Sequence, residues 1–179
     1  MSTMKKTGAA AFVASVLLAA SMGAQADTVD ITVTGKIVET TCKIDNAANS
    51  AMTVDLGSVG VDAFSGAGSV GNSKPFELSF SGCPTGADGI ANINIAATGT
   101  ADPIFTNGFA STGDAKNVAI EILSGETAMT SNGGNAIDVV PGEDGSAKAE
   151  LTAAMVQVGD TAPTVGSVNS VVTMNVTYS

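Results

Sequence analysis

The chain has 179 residues, a formal net charge of −10 and neither histidine nor tryptophan. So acidic a surface repels phosphate backbones and anionic lipid heads, which argues against nucleic-acid and membrane-surface roles. The absence of histidine removes ordinary zinc sites and histidine-based acid–base catalysis, and with one tyrosine and no tryptophan a sugar-stacking site is poorly supplied.

At the N-terminus, Lys5 and Lys6 precede a short apolar run over 9–20, and Ala24-Gln25-Ala26 puts small residues where a signal peptidase reads. Residues 1–26 are therefore expected to be an export signal cleaved before Asp27. The run is too short to span the roughly 30 Å of a bilayer core, and no later segment suits that task. The exported remainder fits one soluble domain with its own core. It contains all 17 acidic residues against five lysines (36, 43, 74, 116 and 148) and both cysteines, Cys42 and Cys83. In an oxidising compartment a lone pair of cysteines is most simply one disulfide. Its loop would be worth about 4 kcal/mol in the chain-entropy model.

The first strand signal follows at once. Val29, Ile31 and Val33 alternate with polar residues, and the period of two runs through Gly35 to Ile37. Gly35 occupies a position where a side chain is expected, so it marks either a shallow site opposite or a bulge before Cys42. Further strands are expected over 52–56, 76–80, 90–97, 118–122, 149–158 and 168–178. Gly/Ser-rich residues 57–73 read as a loop, residues 103–116 as an exposed one, and 132–134 and 141–145 as turns. Short strands without a convincing helix point to an all-β sandwich.

The last of these strands has one largely apolar face: Val168, Ser170, Val172, Met174, Val176 and Tyr178, with Gly166 next in the row. Nothing after Tyr178 is long enough to pair beside it, so its outer edge is expected to need cover. Taken alone, the 29–37 segment is simply the first strand of a sandwich.

Several weaker signals carry no chemistry. Asn175-Val176-Thr177 matches a glycosylation pattern but lies inside a strand. Asp138, Glu143 and Asp144 lack EF-hand spacing and read as a solvated acidic turn. The glycines of 57–71 have no phosphate-loop spacing. With both cysteines bridged, no catalytic nucleophile stands out, so no enzymatic activity and no cofactor are expected.

The export signal, the single cysteine pair, Gly166 and the penultimate Tyr178 together resemble the chaperone–usher pilin family of the type 1 major-pilin kind. Gly35-Lys36-Ile37-Val38-Glu39-Thr40-Thr41-Cys42 and Met52-Thr53-Val54-Asp55-Leu56-Gly57 are similar to segments of that family. The resemblance implies an incomplete immunoglobulin-like sandwich that lacks its seventh strand and is completed by donor-strand exchange. Residues 27–41 would then be a donor extension and 42–179 the pilin domain. Val29, Ile31, Val33, Gly35 and Ile37 would face the groove of another copy, each large side chain worth about 1.5–3 kcal/mol if fully buried. Gly166, Val168, Val172, Met174, Val176 and Tyr178 would form the acceptor groove and the chaperone-recognition strand. The implied partners are neighbouring pilin subunits, a periplasmic chaperone and an outer-membrane usher, and the implied destination is a fimbrium on the bacterial cell surface, reached through the periplasm and serving adhesion. Direct membrane insertion is not implied. The alternative is a self-complete, monomeric secreted immunoglobulin-like module that binds a carbohydrate or protein ligand. Under the pilin reading, Gly35→Val leaves the subunit–chaperone complex intact but slows polymerisation, as followed by fibre-assembly kinetics.

Overall fold

The computed structural model describes residues 41–47, 51–87 and 89–179. The expected export signal and residues 27–40 lie outside the described residues.

Cross-strand volume matching organises the larger sheet. Strand β1 (Lys43–Ile44) pairs with β2 (Val70–Ser81), which pairs with β8 (Ala147–Gln157), all antiparallel. Small residues of β8 stand opposite large ones of β2: Ala147 faces Phe80, and Ala149 faces Leu78. On its other side β8 pairs with β5 (Val118–Ser124), where Ala153 faces Ile122. Alternating small and large side chains let the inner surface fill without strain. Two short strands, β4 (Phe109–Ala110) and β6 (Thr127–Met129), share the outer side of β5.

The smaller sheet runs β7 (Ile137–Val139), β3 (Ile93–Gly99), β9 (Val172–Tyr178), again antiparallel. Between the sheets lie Phe80, Phe109, Ile93, Ile95 and Met129, all fully buried. Cys42 and Cys83 are bonded to each other and buried in this core. The expected disulfide is therefore present.

Several elements differ from the sequence reading. Strand β2 begins at Val70, inside the stretch read as a Gly/Ser loop. A bulge between Val70 and Asn72 sets its start, and the Phe64 ring packs so closely on Gly71 that a Cβ there has no room. Residues 52–56 join neither sheet as a strand, although Met52, Val54 and Leu56 alternate in burial and pack against the core. The last strand begins at Val172 rather than Val168.

Residues 103–116 are only in part the exposed loop the sequence suggested: Ile104 is 70% exposed, but Phe109 is 0% exposed and Ala115 is buried too. Gly108 allows this by lying against the Phe105 ring and 3.1 Å, measured from an ideal Cβ, from the Ile120 carbonyl oxygen. Phe109→Ala should therefore cost about 3–5 kcal/mol of stability, a loss readable in urea denaturation. A surface phenylalanine would show almost none.

Candidate functional site

In an antiparallel pair, facing residues alternate between those that exchange both main-chain hydrogen bonds and those that exchange none. At the start of β3, Asn92 N donates to Ser179 O at 3.0 Å and Ser179 N donates to Asn92 O at 3.1 Å, so this pair is a bonded one. The register then runs Ile93–Tyr178, Asn94–Thr177, Ile95–Val176 and onward to Gly99–Val172. By alternation, Thr173, Asn175 and Thr177 spend their main-chain groups on β3. Val172, Met174, Val176 and Tyr178 turn theirs the other way, toward the edge where no strand lies among the described residues.

The same four residues bring their side chains inward. They are half-buried and pack against the core, while Thr173, Asn175 and Thr177 face solvent. Each residue that offers hydrogen-bonding groups at the edge thus also contributes apolar surface beside it. That combination suits one kind of ligand, an extended chain laid along the edge with alternate side chains pointing into the sandwich.

The line continues upstream of β9. Val168 and Ser170 are half-buried, whereas Val171 between Ser170 and Val172 is 82% exposed, so the alternation of faces holds. What changes is the neighbour. Ser167 O accepts from Ala115 N at 3.0 Å, and Asn169 O accepts from Thr112 N at 2.7 Å. Gly166 belongs to this second neighbour: an added Cβ would stand 2.5 Å from Ala115 N. It is a close backbone crossing and stands exposed, outside the half-buried row.

Tyr178 closes the other end. Its hydroxyl donates to the Cys42 carbonyl oxygen across 3.4 Å, a long bond, so the last strand meets the main chain of a disulfide-bonded residue near the start of the described domain. Burial pushes the Tyr178 phenol pKa up.

Of the residues expected from sequence to act here, the structure aligns Val168, Val172, Met174, Val176 and Tyr178 along one edge and sets Gly166 beyond it. Val29, Ile31, Val33, Gly35 and Ile37 lie outside the described residues. Sequence reasoning missed Ser111, Thr112 and Gly113, which hold the upstream part of the line. Only a contact between distant segments reveals them.

Fold and edge together define a class: an incomplete immunoglobulin-like β-sandwich whose smaller sheet stops at an unpaired last strand among the described residues. A family model described as Fimbrial protein matches residues 31–179. The S-fimbrial adhesin protein SfaS of Escherichia coli O6:K15:H31 (strain 536 / UPEC) is 30% identical over 159 residues, spanning 89% of this chain and 90% of its own length. Among solved structures, a chaperone–usher pilus whose study concerns rod uncoiling matches with a TM-score of 0.64 at 20% identity, over 86% of this chain and 96% of that one. The P pilus rod subunit PapA matches with a TM-score of 0.61 at 18% identity, over 77% and 99%. The chain belongs to the fimbrial protein family and is a structural subunit of a fimbrium.

Because Tyr178 is the only tyrosine of the chain, phenolate absorbance reports this end of the edge alone. Its titration midpoint should lie above the ordinary tyrosine value of about 10. The folded form then holds the proton more tightly than the unfolded chain. This contribution to stability is full below the unfolded value and lost as pH rises through the folded one. A midpoint at or below the ordinary value would contradict the burial of the ring.

Proposed function

We propose that this subunit polymerises by donor-strand complementation: residues 27–41 of one copy lie along the 168–178 edge of the next. The observation that carries this reading is the coincidence at Val172, Met174, Val176 and Tyr178 of inward apolar side chains with outward main-chain donors and acceptors. An edge of this kind is an aggregation hazard unless a specific strand fills it. The 29–37 segment alternates with the same period of two, so its apolar side chains enter on one face while its main chain completes the sheet.

Before assembly the same edge requires a temporary occupant. The resemblance supplies one, a periplasmic chaperone, with an outer-membrane usher at the site of exchange. The mature chain is on this reading exported through the periplasm and carried in a fimbrium on the bacterial surface. Support of cell adhesion agrees with the adhesin that the chain resembles at 30% identity. The role is structural rather than catalytic, and it calls for no cofactor.

Protein lacking residues 27–37 should be monomeric, and a synthetic peptide of residues 27–41 should raise its melting temperature. Ligand at a hundred times its dissociation constant corresponds to about 2.7 kcal/mol. A truncated protein that is already fully stable and ignores the peptide would instead be a self-complete binding module.

A further inference from the structure

The edge that receives the strand has two supports rather than one. Along Val172–Tyr178 the chain rests on β3. Upstream it leaves β3 and rests on residues 111–116, which belong to the connection between β4 and β5. The change of neighbour falls at Val171, whose carbonyl oxygen lies 3.0 Å from an ideal Cβ on Gly99. Upstream of it three main-chain bonds join the two segments at irregular spacing. Lys116 O accepts from Thr164 N at 3.1 Å, Ser167 O from Ala115 N at 3.0 Å, and Asn169 O from both Thr112 N and Thr112 Oγ1, the latter at 3.2 Å. Asn169 N donates to Ser111 Oγ at 3.4 Å. The carbonyl of Ser167 and both main-chain groups of Asn169 therefore face 111–115. By the alternation of an extended chain, Val168 and Ser170, between and beyond them, turn theirs to the same side as Val172 and Met174, where no strand lies among the described residues.

The contact that holds this upstream leg is a crossing of two glycines. A Cβ on Gly166 would collide with the backbone of Asp114 and Ala115, and one on Gly113 would overlap the carbonyl group of Ser167 and reach Val168 Cα at 3.0 Å. Neither glycine has a positive φ. Close approach alone, not backbone conformation, requires them.

We propose that Gly113, with Gly166, is a positioning residue that extends the acceptor edge by a second leg at Val168 and Ser170, so that the strand of a neighbouring copy is gripped there as well as along β9. The proposal rests on the donor-strand reading and adds where the grip ends and what sets it. Gly113 lies against the Ser167 carbonyl, on the side of this segment that faces 111–115. It acts by letting Ser167 approach Asp114 and Ala115 closely enough for the 112–169 and 115–167 bonds to form. Ser170 is the one small hydroxyl side chain of the inward row, so this leg differs chemically from the Val–Met–Val–Tyr leg beside it.

The test is site-resolved amide exchange on the mature full-length chain with a saturating synthetic peptide of residues 27–41. In the wild type, the amides of Val168, Ser170, Val172, Met174, Val176 and Tyr178 should all be protected. In Gly113→Ala, Val168 and Ser170 should exchange faster by about tenfold or more, while Val172, Met174, Val176 and Tyr178 keep wild-type protection. The double variant Ser111→Ala/Thr112→Val adds no volume at the crossing and removes two side-chain contacts to Asn169. It should give the same split more weakly, and it serves if Gly113→Ala does not fold. A uniform loss over all six amides, or undiminished protection at Val168 and Ser170, overturns the positioning role. Wild-type protection along Val172–Tyr178 but not at Val168 and Ser170 overturns the second leg alone. If all six amides are unprotected in the wild type, the acceptor reading falls with it.

Discussion

A buried β-strand must satisfy main-chain donors and acceptors on both sides, and half of those of the last strand are turned toward an edge with no partner among the described residues. An unsatisfied buried amide or carbonyl costs as much as a lost hydrogen bond. Nearly every other feature of the domain bears on that edge. Strand β3 pairs one side of β9, the Tyr178 hydroxyl at the far end reaches the Cys42 carbonyl, and the Gly113–Gly166 crossing carries the line upstream.

Parity makes the edge selective as well as needy. Main-chain groups and side chains both alternate with a period of two, and in β9 the two alternations are locked together. A strand that satisfies the edge hydrogen bonds must therefore also present every second side chain to the sandwich. Backbone pairing accepts any extended chain. On the donor-strand reading proposed above, the discrimination comes from side-chain volume against Val172, Met174, Val176 and Tyr178.

Much of this was legible in the sequence, for a definite reason. The 168–178 alternation reads the same in residue types as in exposure, because a half-buried strand is patterned by its own two faces. The disulfide followed from composition and compartment. What escaped was set by distant partners. Strands β4 and β7 are too short to show a period, and Phe109 sits in a stretch whose polar residues suggested a loop. Strand β6 did leave a signal: Ser124 pairs with Thr127 around Gly125, whose φ of 58° is that of a tight hairpin turn. Gly113 left none, since its need arises only from Ser167 meeting it in space. Gly166 was placed in the inward row by counting, but it serves the crossing.

The bond between Cys42 and Cys83 has a mechanical consequence. Strand β1 joins the larger sheet by only two residues, which a pull on the chain ahead of Cys42 would peel away one at a time. The disulfide intercepts that pull before it reaches Lys43 and passes it across to the end of the β2 segment. The intervening residues cannot be paid out as slack, and the load enters where β2 is held along ten register pairs by β8. A pull ahead of Cys42 is thereby loaded onto a strand with ten paired residues in place of a strand with two.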